Sequence, residues 1–121
     1  MEYRQLGRSG LKVSTITLGT MGFGGTGWAS PVGHLGVEDA RRQIDLCREA
    51  GVNLIDTADI YSNGLSEEIL GEALGTDRED VLLATKVRGA MGEGPNDDGL
   101  SRHHIVRGVE TLADQLYGKG K

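Results

Sequence analysis

The sequence predicts an α/β protein built on a parallel sheet. Two observations predict it. Short apolar runs alternate with segments whose apolar residues recur at helical spacing, and glycine- or serine-bearing turns separate them. Their order is a β-hairpin followed by three β-α units, and strands that alternate with helices imply parallel pairing through right-handed crossovers. There is no internal repeat beyond this alternation.

The hairpin strands are residues 3–6 and 11–13, joined by the turn-rich Gly7-Arg8-Ser9-Gly10. Residues 16–19 read as a first buried strand, and a glycine-rich loop runs from there to Gly36. Residues 37–50 read as a helix with Val37, Ala40, Ile44 and Cys47 on one stripe. Glu38 and Asp39 suit the positive end of its dipole, and Gly51 is placed to stop it. Residues 52–55 form the second strand. The second helix is expected over 66–74, capped by Ser66, with Glu67 and Glu68 in its first turn and Gly75 at its end. The third strand is 81–87, followed by a polar loop over 88–100. Ser101 caps a third helix whose stripe is Ile105, Val109, Leu112 and Leu116, and residues 118–121 are expected to be a disordered tail.

The chain has 121 residues, enough for one domain with a core but short for a large α/β architecture. Thirteen Lys and Arg against 18 Asp and Glu give a net charge of −5. That balance argues against a basic face for nucleic acid or anionic membranes. Aromatic residues, at 4%, offer few platforms for stacking bases. There is no apolar run of membrane-spanning length and no signal pattern at MEYRQLGRSG. The single cysteine, Cys47, has no partner for an internal disulfide, so a cytoplasmic location is expected.

Ligand sites in parallel α/β folds lie at the C-terminal ends of the strands. Asp56 directly follows the second apolar run, Tyr61 sits in the loop after it, and Lys86 lies near the end of VLLATKV. Neighbouring strands are about 4.8 Å apart, so Asp56 and Lys86 are within pairing reach. A phenol has a reference pKa of about 10, and an adjacent ammonium favours its ionised form. A carboxylate behind the ammonium keeps it charged and oriented while partly offsetting its pull. Such a trio suits protonation of a carbonyl oxygen as hydride reaches the carbon. The same residues also fit a structural ion pair and a packing tyrosine, and spacing alone does not separate the two readings.

DTADIYSNGLSEEILGEAL, preceded by GVNLI and followed by VLLATK, closely resembles the aldo-keto reductase family. YRQLGRSGLKVSTITLGTMGFGG is similar to that family's opening hairpin and first strand, and SRHHIVRGVE to the start of its third barrel helix. The resemblance covers about residues 1–110. It implies the N-terminal part of a (β/α)8 TIM barrel, over residues 1–117, that reduces aldehydes and ketones to alcohols with NADPH. It implies Asp56, Tyr61 and Lys86 as catalytic residues, Tyr61 being the general acid. Gly19, Thr20 and Met21 match positions lining the nicotinamide end of the cofactor, and Asp56 is counted with them.

The family set includes a histidine at the end of a fourth strand, in a segment resembling DYIDLYQIH. Here the chain reads TLADQLYGKGK, and the barrel is expected to be incomplete, as a truncated or frameshifted product. A whole barrel needs about 250 residues. His103 and His104 fall in the first turn of the third helix and His34 in the first loop. All three are expected to be surface or helix-terminal residues, and no metal-ligand spacing is present. The expected partners are a small carbonyl substrate and, through an open sheet edge, a second copy of the chain. The alternative to the enzyme is an inactive half-barrel that binds no cofactor by itself. A Rossmann reading of Gly22-Phe-Gly-Gly-Thr-Gly27 requires the last glycine to open a helix, whereas the next helix begins near Val37. The motif is expected to be a mobile loop over the site.

Overall fold

A computed structural model of the chain describes residues 1–25, 30–76 and 78–118. The elements run β1 (Tyr3–Gln5), β2 (Lys12–Ser14), β3 (Leu18–Gly19), α1 (Val37–Glu49), β4 (Leu54–Asp56), a 3-10 turn (Tyr61–Gly64), α2 (Leu65–Leu74), β5 (Leu82–Ala84) and α3 (Arg102–Tyr117). The hairpin and the three β-α units stand in the expected order. Thr26 and Gly27, which carry the end of the glycine motif, lie outside the described residues, as do Trp28 and tail residues 119–121. The following helix starts at Val37, ten positions beyond Gly27.

β1 and β2 pair antiparallel, and β3, β4 and β5 form a parallel sheet in that order. Gly19 aligns with Asp56, and Asp56 with Ala84, so the three residues form one row across the strand ends. The hairpin is fastened to the opposite end of the sheet. Asn53 accepts from Ser14 N–H through Oδ1 at 2.8 Å and donates through Nδ2 to Lys12 O at 3.0 Å. The Tyr3 hydroxyl donates to Gly51 O at 2.7 Å, just past α1.

The expected first strand, 16–19, contracts to two residues and is not buried. Ile16 is 62% exposed, Leu18 half-buried and Gly19 exposed. Ser14 Oγ donates to Ile16 O at 2.6 Å and turns the chain there, so only Leu18 and Gly19 reach β4. The second and third strands are likewise shorter than their apolar runs. The helices cover one sheet face. Ala40 and Ile44 of α1, Ile69, Leu70, Ala73 and Leu74 of α2, and Leu112 and Leu116 of α3 form one core with Ile55 and Phe23. Leu18 and Leu83 pack against it.

α2 and α3 approach closely at Gly71, where an added Cβ would lie 2.6 Å from Gln115 O. Ser101 caps α3 as expected, accepting from His104 N–H at 3.1 Å. Two other expectations fail. Ser66 does not cap α2: the cap position is Gly64, at φ 93°, and Ser66 lies inside the helix. The α3 stripe is rotated, because Ile105 and Val109 are exposed while His104 is buried. α3 packs inward along His104, Gly108, Leu112 and Leu116, with Gly108 against Val87 and Leu116 beside Gly71 of α2, so Ile105 and Val109, one position further on, face outward.

Candidate active site

The row Gly19–Asp56–Ala84 brings the expected residues to one rim. Asp56 is the last residue of β4, and Lys86 lies two residues past β5. Lys86 Nζ donates to Asp56 Oδ2 at 2.8 Å and to Thr57 O at 2.6 Å. The same ammonium sits 5.2 Å from the centroid of the Tyr61 ring. Acid, amine and phenol therefore converge. Burial pulls the Lys86 pKa down, but Asp56 and, to a lesser degree, the Tyr61 hydroxyl push it up further, to above the ordinary 10.5. Lys86 stays a cation at neutral pH and can supply positive charge beside the phenol.

Tyr61 is held by an unusual turn. Ser62 and Asn63 follow it with φ of 51° and 55°, a left-handed conformation that costs a non-glycine residue about 1–2 kcal/mol. Burial compensates at Ser62, whose Oγ accepts from Gly25 N–H at 3.0 Å and donates to Phe23 O at 3.3 Å. These bonds dock the first part of the glycine-rich loop, at Phe23 and Gly25, against the tyrosine turn. Gly24, at φ 98°, is required there, since a Cβ would fall 2.7 Å from Ser62 Oγ.

Of the residues matched to the nicotinamide end, Gly19 and Met21 are exposed at the rim, and Thr20 is fully buried. Thr20 N–H donates to Asp56 O at 3.0 Å. Ser66 Oγ lies 2.8 Å from Thr20 O and 3.0 Å from Thr20 Oγ1, so the expected helix cap instead locks the loop behind Gly19. A Cβ on Gly19 would meet nothing within 4 Å, which leaves open space beside Asp56 for a flat group.

Sequence spacing missed Glu67. Placed in the first turn of α2 as a helix-dipole charge, it is 1% exposed and accepts from Thr85 Oγ1 at 2.5 Å. Burial is the main cause that lifts its pKa above 4.5, with Asp59 adding to the rise. It sits under the residue preceding Lys86, and only its SEE neighbourhood beside an apolar stripe hinted at it. His103 and His104 lie in the first turn of α3 as expected, but His104 is buried, not a surface residue. His34 is exposed. Among the described residues, none of the three histidines joins the trio.

The sequence profile of the Aldo/keto reductase family matches residues 15–119. A protein of Arabidopsis thaliana named "Probable voltage-gated potassium channel subunit beta" is 43% identical over 119 residues, covering 96% of this chain and 34% of its own length. The versiconal hemiacetal acetate reductase of Aspergillus parasiticus is 38% identical over 136 residues, covering 96% of this chain and 39% of the enzyme. Among solved structures, the holo form of an aldo-keto reductase from Bacillus halodurans superposes with a TM-score of 0.75 at 36% identity. That match covers 96% of this chain and 36% of the other. The chain thus spans about a third of the length of the curated relatives it matches. Its α/β fold is that of an incomplete barrel, since the described sheet is open at both edges.

Proposed function

Because this chain belongs to the aldo/keto reductase family, we propose that it carries the proton-donating side of an NADPH-dependent carbonyl reductase site, acting on a small aldehyde or ketone in the cytoplasm. Residues 1–117 make up the partial barrel that holds it. The observation that carries the reading is the meeting of Lys86 Nζ with both Asp56 Oδ2 and the Tyr61 ring.

Tyr61 donates its hydroxyl proton to the carbonyl oxygen as negative charge develops there. Lys86 stabilises the phenolate left behind, through its charge and proximity. Asp56 and the Thr57 carbonyl fix the ammonium so that little reorganisation accompanies the transfer. The dinucleotide, when bound, supplies the hydride. The residues present fit its nicotinamide end, because Gly19 leaves open space next to Asp56 and Met21 is exposed beside it. Lys86 is committed to Asp56 and is no phosphate ligand.

The test uses the purified chain with NADPH and an aromatic aldehyde. Expected are a change in NADPH fluorescence on binding and aldehyde-dependent NADPH oxidation. Tyr61→Phe is expected to lower the oxidation rate by about 10²–10⁴-fold, the usual worth of a positioned general acid, while leaving NADPH binding intact. A second reading, an inactive half-barrel, is favoured by the open sheet and by the third of a relative's length that the chain covers. Absence of any NADPH fluorescence change at high protein concentration would decide for it.

A further inference from the structure

Behind the tyrosine turn, a cavity of about 190 Å³ is lined by Asp59, Met91, Asp97, His104, Arg107, Gly108 and Thr111. None of these belongs to the Asp56–Tyr61–Lys86 trio. Two of them are polar and buried, Asp59 at 7% and His104 at 6% exposure. Asp59 Oδ1 and His104 Nε2 have no hydrogen-bond partner within the protein. Buried polar atoms are rarely left unpaired, because each costs about 1–3 kcal/mol in lost solvation.

Hydrogen-bond chemistry defines what is missing. His104 Nδ1 lies 3.3 Å from Asn96 O, and a carbonyl oxygen only accepts, so Nδ1 carries the ring proton. In the neutral ring Nε2 is then a bare acceptor. Asp59 Oδ1 is also an acceptor when ionised. Both unpaired atoms thus ask for a donor. Charge points the same way. Arg107 pairs with Asp97 at 3.4 Å, so the Asp59 carboxylate has no guanidinium or ammonium partner in the lining, and only the His104 ring there can act on it as a positive charge. The volume exceeds a single water's share of about 30 Å³ several times over.

We propose that this cavity is a second ligand site that takes a small primary ammonium, whose N–H groups donate to Asp59 Oδ1 and His104 Nε2 while its alkyl part rests against Met91 and Gly108. An ammonium offers several donors on one compact cation, so it satisfies both acceptors together and places a cation beside Asp59. A quaternary ammonium has the same charge and no N–H, and it fails on the hydrogen-bond count.

NMR on the full chain tests this, following the His104 imidazole and the Met91 methyl during titration with methylammonium chloride or, separately, tetramethylammonium chloride. Expected are saturable shifts with methylammonium and none with tetramethylammonium. Asp59→Asn is expected to weaken methylammonium binding by about tenfold or more, the loss of one charge-assisted hydrogen bond. Equal responses to the two cations, or shifts that rise without saturating, overturn the proposal and leave the cavity to water. The comparison of cations on the unaltered chain decides the matter even if Asp59→Asn does not fold.

Discussion

Lys86 and Asp56 close a 2.8 Å ion pair between the ends of two neighbouring parallel strands, Nζ to Oδ2. Both side chains are about half exposed, at 50% and 42%, so the pair serves orientation more than stability. Asp56 supplies the largest of the causes that raise the Lys86 pKa, and burial opposes it. In Asp56→Asn only the weaker contributions of Tyr61 still work against burial, and Lys86 is expected to titrate at lower pH. NMR of the lysine side-chain carbon against pH checks this. An unchanged midpoint would remove Asp56 from the account.

The same shift has a signature in stability. The folded-state pKa of Lys86 lies above its ordinary 10.5, so its contribution is complete below about that pH and fades as pH rises through the folded value. Melting temperatures of the unaltered chain and of Lys86→Met should therefore converge on the strongly alkaline side.

Glu67 predicts a pH dependence in the acid range. Its pKa in the folded chain is raised above 4.5, so folding favours the protonated carboxyl. That stabilisation is complete below 4.5 and is lost as pH rises through the folded value. Glu67→Gln keeps an acceptor for Thr85 and cannot ionise. Urea unfolding should show the variant gaining stability relative to the unaltered chain between acid and neutral pH; a constant difference would contradict this.

The contact of α2 with α3 depends on Gly71. A methyl there would meet the Gln115 carbonyl at 2.6 Å, a backbone atom that cannot swing away. Gly71→Ala is expected to cost about 1–3 kcal/mol despite alanine's better helix propensity. Denaturant titration gives the value, and a stabilised variant would mean that the two helices slide apart freely.

The outer edge of β5 is unpaired among the described residues, and beside it Leu82, Leu83, Val109 and Leu112 line an apolar groove. An open edge next to the half-buried Leu82 and Leu83 and the exposed Val109 favours pairing with a second copy. Sedimentation should show a concentration-dependent oligomer that Val109→Lys weakens, since a charge in that groove would have to be desolvated. A monomer at all concentrations would count against self-association.

The order of elements, the parallel pairing, and the arrival of Asp56 and Lys86 at one rim were all legible in the 121 residues. Those features follow from local periodicity and from the rule that parallel strands end on the same side. Ser101 as a helix cap was equally local. Burial of polar residues was not local. Glu67, His104 and Ser66 were placed by sequence at helix starts, where polar groups ordinarily meet solvent. In the structure Glu67 lies against Thr85, His104 against the 88–100 loop, and Ser66 against Thr20. Conversely, Ile105 and Val109 kept helical spacing yet face outward, because α3 turns its His104–Gly108–Leu112 side to the rest of the fold. Periodicity says that a helix has an apolar face. Which groups are taken from water depends on what packs against them, and only the tertiary structure decides that. Its close approaches at Gly71 and Gly24 select one docking of helices and loop.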